Sequence, residues 1–152
     1  MNPNAYLVKD ILKLEQKATR DGYGDGLVLV GEKNKDVVVL CADLTESTRS
    51  LAFQKKFPKR FVELGVAEQN LASVAAGMAV AGKIPFISSY ATFSPGRNNE
   101  QIRTTICYNE ANVKIAGAHA GISVGPDGAT HQALEDIGLM RMMPNMTVVV
   151  PC

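Results

Sequence analysis

The sequence predicts an α/β fold built on a parallel sheet, and three observations carry that prediction. Short apolar runs rich in β-branched residues recur at 37–41, 84–88, 113–116 and 146–150, with a weaker one at 60–64. Stretches with helical spacing separate most of them. The separations are too long for hairpins and suit the crossover connections that parallel strands need.

Taken in order, residues 6–18 place Leu7, Ile11, Leu14 and Ala18 on one face, the spacing of an amphipathic helix. The stretch 20–30 is ambiguous. Gly22, Gly24 and Gly26 each weaken a helix by about 1 kcal/mol relative to Ala, so propensity suggests a loop followed by a strand over Leu27 to Val30. Val37–Cys41 is an apolar run flanked by Lys35, Asp36 and Asp43, which marks a buried strand. Residues 66–81 are rich in Ala, Leu and Met and stop at Gly82, a helix with a glycine at its end. Helices are expected at 98–108 and at 132–143, the second stopped by Pro144.

The chain has 152 residues, enough for one domain with a substantial core. Hydrophobic residues make up 46%, charged residues 20%, and the formal net charge is +1. That balance gives no reason to expect nucleic acid or an anionic membrane as partner. No apolar run is long enough for a membrane-spanning helix, and the N-terminus lacks a signal-peptide pattern. Cys41, Cys107 and Cys152 form no CxxC pair, which suits reduced thiols in a cytoplasmic protein. Ending directly after an apparent strand, the chain is expected to be a single domain incomplete at its C-terminal end.

Ligands of open parallel sheets bind beyond the carboxyl ends of the strands. After the first strand come Asp43, Leu44, Thr45, Glu46 and Ser47. After the second comes Gly65-Val66-Ala67-Glu68-Gln69, and after the third the stretch from Tyr90 through Phe93 to Arg97. After the fourth comes His119, leading into Gly125-Pro126-Asp127-Gly128-Ala129-Thr130-His131-Gln132. Acids, both histidines, aromatic rings and a glycine-rich loop thus fall on one edge.

These segments resemble, in order, the motifs of the transketolase family. Gly65-Val66-Ala67-Glu68-Gln69 is similar to the glutamate motif of the pyrimidine-binding domain in thiamine-diphosphate enzymes. The loop from Gly125 to Gln132 resembles the substrate loop shared by transketolases and deoxyxylulose-phosphate synthases. Ala42-Asp43-Leu44-Thr45-x-Ser47 and Met143-Pro144-Asn145-Met146 resemble transketolase in particular, most of all the smaller subunit of split transketolases. The resemblance implies a three-layer α/β/α fold with a mostly parallel sheet, the pyrimidine type of the thiamine-diphosphate-binding fold. It also implies that 20–30 is helical.

By the same resemblance, Glu68 hydrogen-bonds the aminopyrimidine of thiamine diphosphate and activates it. Phe93 stacks on that ring, with a core phenylalanine as the bland reading and Tyr90 as the substitute. Asp43 lines the cofactor pocket or caps its loop. His119 and His131 hold sugar oxygens, and Asp127 recognises a sugar hydroxyl while serving a turn. Arg20 clamps a sugar phosphate with Ser47, and Arg97 is a second basic candidate at that end. Thiamine diphosphate is the implied cofactor, with Mg2+ held by a diphosphate-binding partner domain on another chain. The implied assembly is a homodimer or heterotetramer acting on sugar phosphates. Gly24-Asp25-Gly26 resembles the start of a magnesium-diphosphate motif, but no asparagine stands between Asn34 and Asn70 to complete it. Two other readings stay open at this point, a deoxyxylulose-phosphate synthase and a non-catalytic partner domain.

Overall fold

The computed structural model describes residues 12–14 and 16–151. Four strands form one parallel sheet in the order β2-β1-β3-β4, with β1 Val37–Cys41, β2 Phe61–Glu63, β3 Ile84–Tyr90 and β4 Lys114–Ala118. Every residue of β1 is buried, because both faces of the central strand are covered. Val38 and Leu40 point into a core with Ile87, Leu71, Ala72 and Ala75. Val37 and Val39 point the other way, onto Leu27 and Phe53. The first core lies under helix α3 (Glu68–Val80), and the second under α1 (Thr19–Lys33) and α2 (Leu51–Lys56). These are the three layers implied by the resemblance. Ala72, Ala75 and Ala76 of α3 belong to this internal core.

α1 settles the ambiguous stretch as helix, because two of its glycines are contact points. A Cβ on Gly24 would stand 2.8 Å from the Arg49 Cβ and carbonyl oxygen, and one on Gly31 would stand 2.6 Å from a Phe53 ring carbon. Glycine therefore lets α1 lie close against α2 and the loop before it. Arg60 closes the other end of α1: Nη2 donates to the Gly31 carbonyl at 2.8 Å, and the guanidinium lies 4.0 Å from the Phe57 centroid.

Other expectations need correction. Residues 6–11 and 15 of the expected first helix lie outside the described residues, and 12–14 and 16–18 are not helical. The expected helix 98–108 is present over 99–107, but only its first turn, α4 (Asn99–Gln101), is α-helical before it widens into a π-type stretch (Ile102–Cys107). The expected helix 132–143 shrinks to α5 (Asp136–Arg141). Ala133 is buried and its carbonyl accepts the Gly121 amide at 2.8 Å, so the chain before α5 is held as loop. Residues 146–150 form no strand. Met146 and Val148 pack on the core, so the apolar alternation is satisfied by packing instead of by a ladder. The short α2 was not legible in the pattern.

Candidate functional site

The first strand continues to β2 on one side and to β3 on the other, so the chain reverses direction of growth between β1 and β3. Open parallel sheets bind ligands at such a switch point. The loops beyond the strand ends turn there through left-handed backbone: Asp43 at φ 57°, Gly65 at φ 68° and His119 at φ 52°. For Asp and His this conformation is uncommon but tolerated, and such strain concentrates at functional loops.

Glu68 is the first residue of α3 and its side chain is 1% exposed. Its Oε2 accepts a hydrogen bond from Arg97 Nη1 at 2.8 Å. A carboxylate buried this deeply needs a partner, and the helix N-terminus also favours its charge. Asn98, fully buried, donates from Nδ2 to the Glu68 carbonyl at 2.9 Å and to Ser94 Oγ at 3.1 Å. That pair of bonds ties the start of α3 to the π-type turn Thr92–Arg97, which carries Phe93.

Phe93 has the Arg97 guanidinium 4.6 Å from its centroid and His131 edge-on at 5.1 Å. Tyr90, at the end of β3, lies tilted against His119 at 4.2 Å, runs near-parallel to Phe93 at 6.4 Å and meets His131 edge-on at 5.9 Å. One chain of contacts therefore runs Glu68, Arg97, Phe93, His131, Tyr90, His119. It ends at Arg20, whose Nη1 lies 3.3 Å from His119 Nε2. Arginine only donates, so Nε2 accepts and the proton of the neutral ring sits on Nδ1. Burial, then the Arg20 and Arg49 charges, lower the His119 pKa, and Asp127 partly raises it. On His131, Nδ1 is engaged by the Thr130 hydroxyl at 2.8 Å.

Asp43 and Ser47 stand in the loop after β1, outside that chain of contacts. The Asp43 amide donates to Glu63 Oε1 at 2.7 Å. The loop approaches α1 through Arg49, whose Nε donates to Asp21 at 2.6 Å, one residue from Arg20. Arg97 lies against Glu68, at the other end of that chain of contacts from Arg20. Arg20, Tyr90, His119 and Asp127 line one end of an open groove of about 2090 Å³ that continues along the free edge of β4.

Three features escaped sequence reasoning. Glu63 accepts from the amides of Asp43 and Gly65 and from the Thr45 hydroxyl, and so joins the loops after β1 and β2. Asn98, buried between Ser94 and the Glu68 carbonyl, carries no signal in local spacing. Under the site, Thr48, Ser50 and Ser88 form a buried hydroxyl cluster with links of 3.0 Å. Burial raises the pKa of neighbouring Tyr23 far above its ordinary value. Only the paired serines at the end of an apolar strand, Ser88 and Ser89, signalled that cluster.

Among the described residues, no group of three or more His, Cys, Asp and Glu is placed to hold a metal ion. No helix among them is long and apolar enough to cross a membrane. Cys41 and Cys107 are buried free thiols, and Cys152 lies outside the described residues.

Comparison with known proteins agrees with the fold. The family model for the transketolase pyrimidine-binding domain matches residues 15–152. The transketolase C-terminal section of Methanocaldococcus jannaschii is 52% identical over 135 residues, covering 89% of this chain and 43% of that protein. A 6-deoxy-6-sulfo-D-fructose transketolase subunit of a Clostridium species is 39% identical, covering 92% and 44%. Among solved structures, a split-gene transketolase in an inactive β4 tetramer superposes with a TM-score of 0.72 at 54% identity, covering 84% of this chain and 40% of that one. Transketolase from Campylobacter jejuni superposes with a TM-score of 0.77 at 26% identity, covering 84% and 20%. The chain spans less than half the length of these relatives.

Proposed function

We propose, from the premise that this chain belongs to the family of transketolase pyrimidine-binding domains, that it serves as one subunit of a two-chain transketolase. The reaction is thiamine-diphosphate-dependent transfer of a two-carbon ketol unit from a ketose phosphate to an aldose phosphate. The observation that carries this reading is the buried Glu68 carboxylate at the start of α3, which Arg97 bridges to the face of Phe93.

The residues fit an aminopyrimidine ring. Glu68 offers a carboxylate shielded from water, and Phe93 offers an aromatic face already covered by a flat cation. Glu68 would share a proton with the ring nitrogen, Phe93 would stack on the ring, with Tyr90 as its substitute, and Asp43 would line the pocket. When bound, thiamine diphosphate supplies the nucleophile and the electron sink for breaking a carbon–carbon bond beside a ketone. The diphosphate and its Mg2+ are assigned to the partner chain.

The second half of the site suits the sugar. His119, with its proton on Nδ1, and His131, oriented through Nδ1 by Thr130, face the sugar oxygens. Asp127 takes a hydroxyl. Arg20, with Ser47 in the adjoining loop, meets the anionic tail, and the planar fork of arginine suits a phosphate. Relatives named for a sulfosugar and for apulose 4-phosphate share an anionic group on the substrate, which supports this end of the reading. The inactive state of the β4 tetramer supports the need for a second kind of chain.

The test is donor-ketose cleavage by this chain mixed with a diphosphate-binding subunit, thiamine diphosphate and Mg2+. Activity should require the partner and fall by roughly 10²-fold or more in Glu68→Gln, the range for a lost acid–base group. A folded complex that turns over no ketose phosphate refutes the reading.

A further inference from the structure

Arg97 makes two contacts that a bound aminopyrimidine would also need. Its Nη1 donates to the buried Glu68 carboxylate at 2.8 Å, and its guanidinium carbon stands 4.6 Å from the Phe93 centroid. A guanidinium and an aminopyrimidine share a flat, delocalised N–C–N unit. Each can lay a face on an aromatic ring and an edge on the Glu68 carboxyl: the guanidinium donates N–H to the carboxylate, and the ring nitrogen accepts from the protonated acid. One seat beside Glu68 and Phe93 cannot hold both.

We propose that Arg97 occupies the aminopyrimidine seat in the empty chain and is displaced when the ring binds. This deepens the reading above and rests on it.

The surroundings suit a side chain that exchanges while its backbone stays. Asn98 and Ser94, on either side of Arg97, are fully buried, and the Asn98 amide ties Ser94 to the Glu68 carbonyl. The Arg97 side chain is 47% exposed, against 1% for Glu68, so one partner has a way out to solvent and the other has none. An unpaired buried carboxylate is strongly disfavoured. Arg97 relieves that penalty in the empty chain; when the ring binds, the Glu68 carboxyl takes a proton from solvent and donates it to the ring nitrogen, so no unpaired charge is left behind. The consequence is a lowered apparent affinity, set by the fraction of molecules in which Arg97 has left the seat.

The probe is the aminopyrimidine half of the cofactor alone, 4-amino-5-hydroxymethyl-2-methylpyrimidine. It lacks the diphosphate, so it reports no contact to that group. Calorimetric titration into the full chain assembled with its diphosphate-binding partner compares wild type, Arg97→Gln, Arg97→Lys and Glu68→Ala. Arg97→Gln should bind roughly tenfold tighter, as expected when a competing state populated at about 90% is removed. Arg97→Lys keeps the charge without the flat fork and should fall between. Glu68→Ala, which leaves no donor for the ring nitrogen, should lose most binding. Equal or weaker binding by Arg97→Gln, with Glu68→Ala still impaired, overturns the displacement and leaves the cofactor reading intact. Unchanged binding by Glu68→Ala, or none by any protein, removes both.

The ion pair has its own readout. Guanidinium nitrogen resonances of Arg97 should show slowed rotation in the empty protein, and fast rotation both on saturation with the probe and in Glu68→Gln. Slow rotation that persists at saturation contradicts displacement.

Discussion

Replacing the glycines of α1 one at a time by alanine should divide them into two pairs. Inside a helix the change from Gly to Ala is favourable by about 1 kcal/mol. At Gly22 and Gly26 an added Cβ meets nothing within 4 Å, so that gain should appear almost in full. At Gly24 the methyl stands 2.8 Å from the Arg49 Cβ and 2.8 Å from the Arg49 carbonyl oxygen, and this backbone cannot swing away. At Gly31 it stands 2.6 Å from Phe53 and 2.9 Å from Phe57, and Phe53 is wholly buried. Forcing a methyl into packed surroundings costs about 1–3 kcal/mol. With steric cost at the upper end and propensity set against it, Gly24→Ala and Gly31→Ala should lose ~2 kcal/mol. The two pairs should then differ by ~3 kcal/mol in urea unfolding at constant m-value. Gly24→Ala should also impair the Arg20 end of the site, since the same contact sets α1 against the loop holding Ser47. Four variants that all stabilise, or all destabilise alike, would refute the close approach of α1.

Two further predictions concern charge. Burial first, then Arg20 and Arg49, hold the His119 pKa below its ordinary 6.5, with Asp127 pulling the other way. Arg20→Met should move the titration of the His119 ring up, and Asp127→Asn should move it down, as read by proton NMR. A change in the opposite sense for either refutes the arrangement. Because the folded value is depressed, the unfolded chain binds more protons between the two values. The His119 contribution to stability is therefore complete above pH 6.5 and is lost as pH falls toward the folded value. Glu63→Ala releases two backbone amides and one hydroxyl together. It should cost about 1–2 kcal/mol and speed hydrogen exchange at Asp43 and Gly65. Unchanged exchange at both amides would show that Glu63 does not join the loops.

The sequence was most legible where one local rule decided the outcome. Val37–Cys41 reads as a doubly covered strand because nothing polar interrupts it, and its burial follows. α1 was illegible by propensity because two of its glycines serve contacts with Arg49, Phe53 and Phe57, residues that only folding brings near. The apolar run 146–150 reads as a strand, but pattern reports which side chains are buried and says nothing of which backbone pairs. At the site, the motifs marked Glu68, Phe93, His119 and His131, and the structure joins these four in one chain of contacts. The links between them were not legible. Arg97 and Glu68 are 29 residues apart, and Arg20 and His119 are 99 apart. Contact order of that kind leaves no trace in local spacing, so the contact of Arg97 with the Glu68 carboxylate could not be read from it.

The measurement that bears most directly on the central claim is hydrogen–deuterium exchange at the reactive C2 position of thiamine diphosphate bound to the assembled complex. It reports cofactor activation by itself, free of substrate binding and product release. With wild-type chain the exchange should be far faster than for free cofactor, and Glu68→Gln should slow it by roughly 10²–10⁴-fold, the span of a lost acid–base group. Exchange that is equally fast in Glu68→Gln, with cofactor still bound, would contradict the role assigned to this carboxylate.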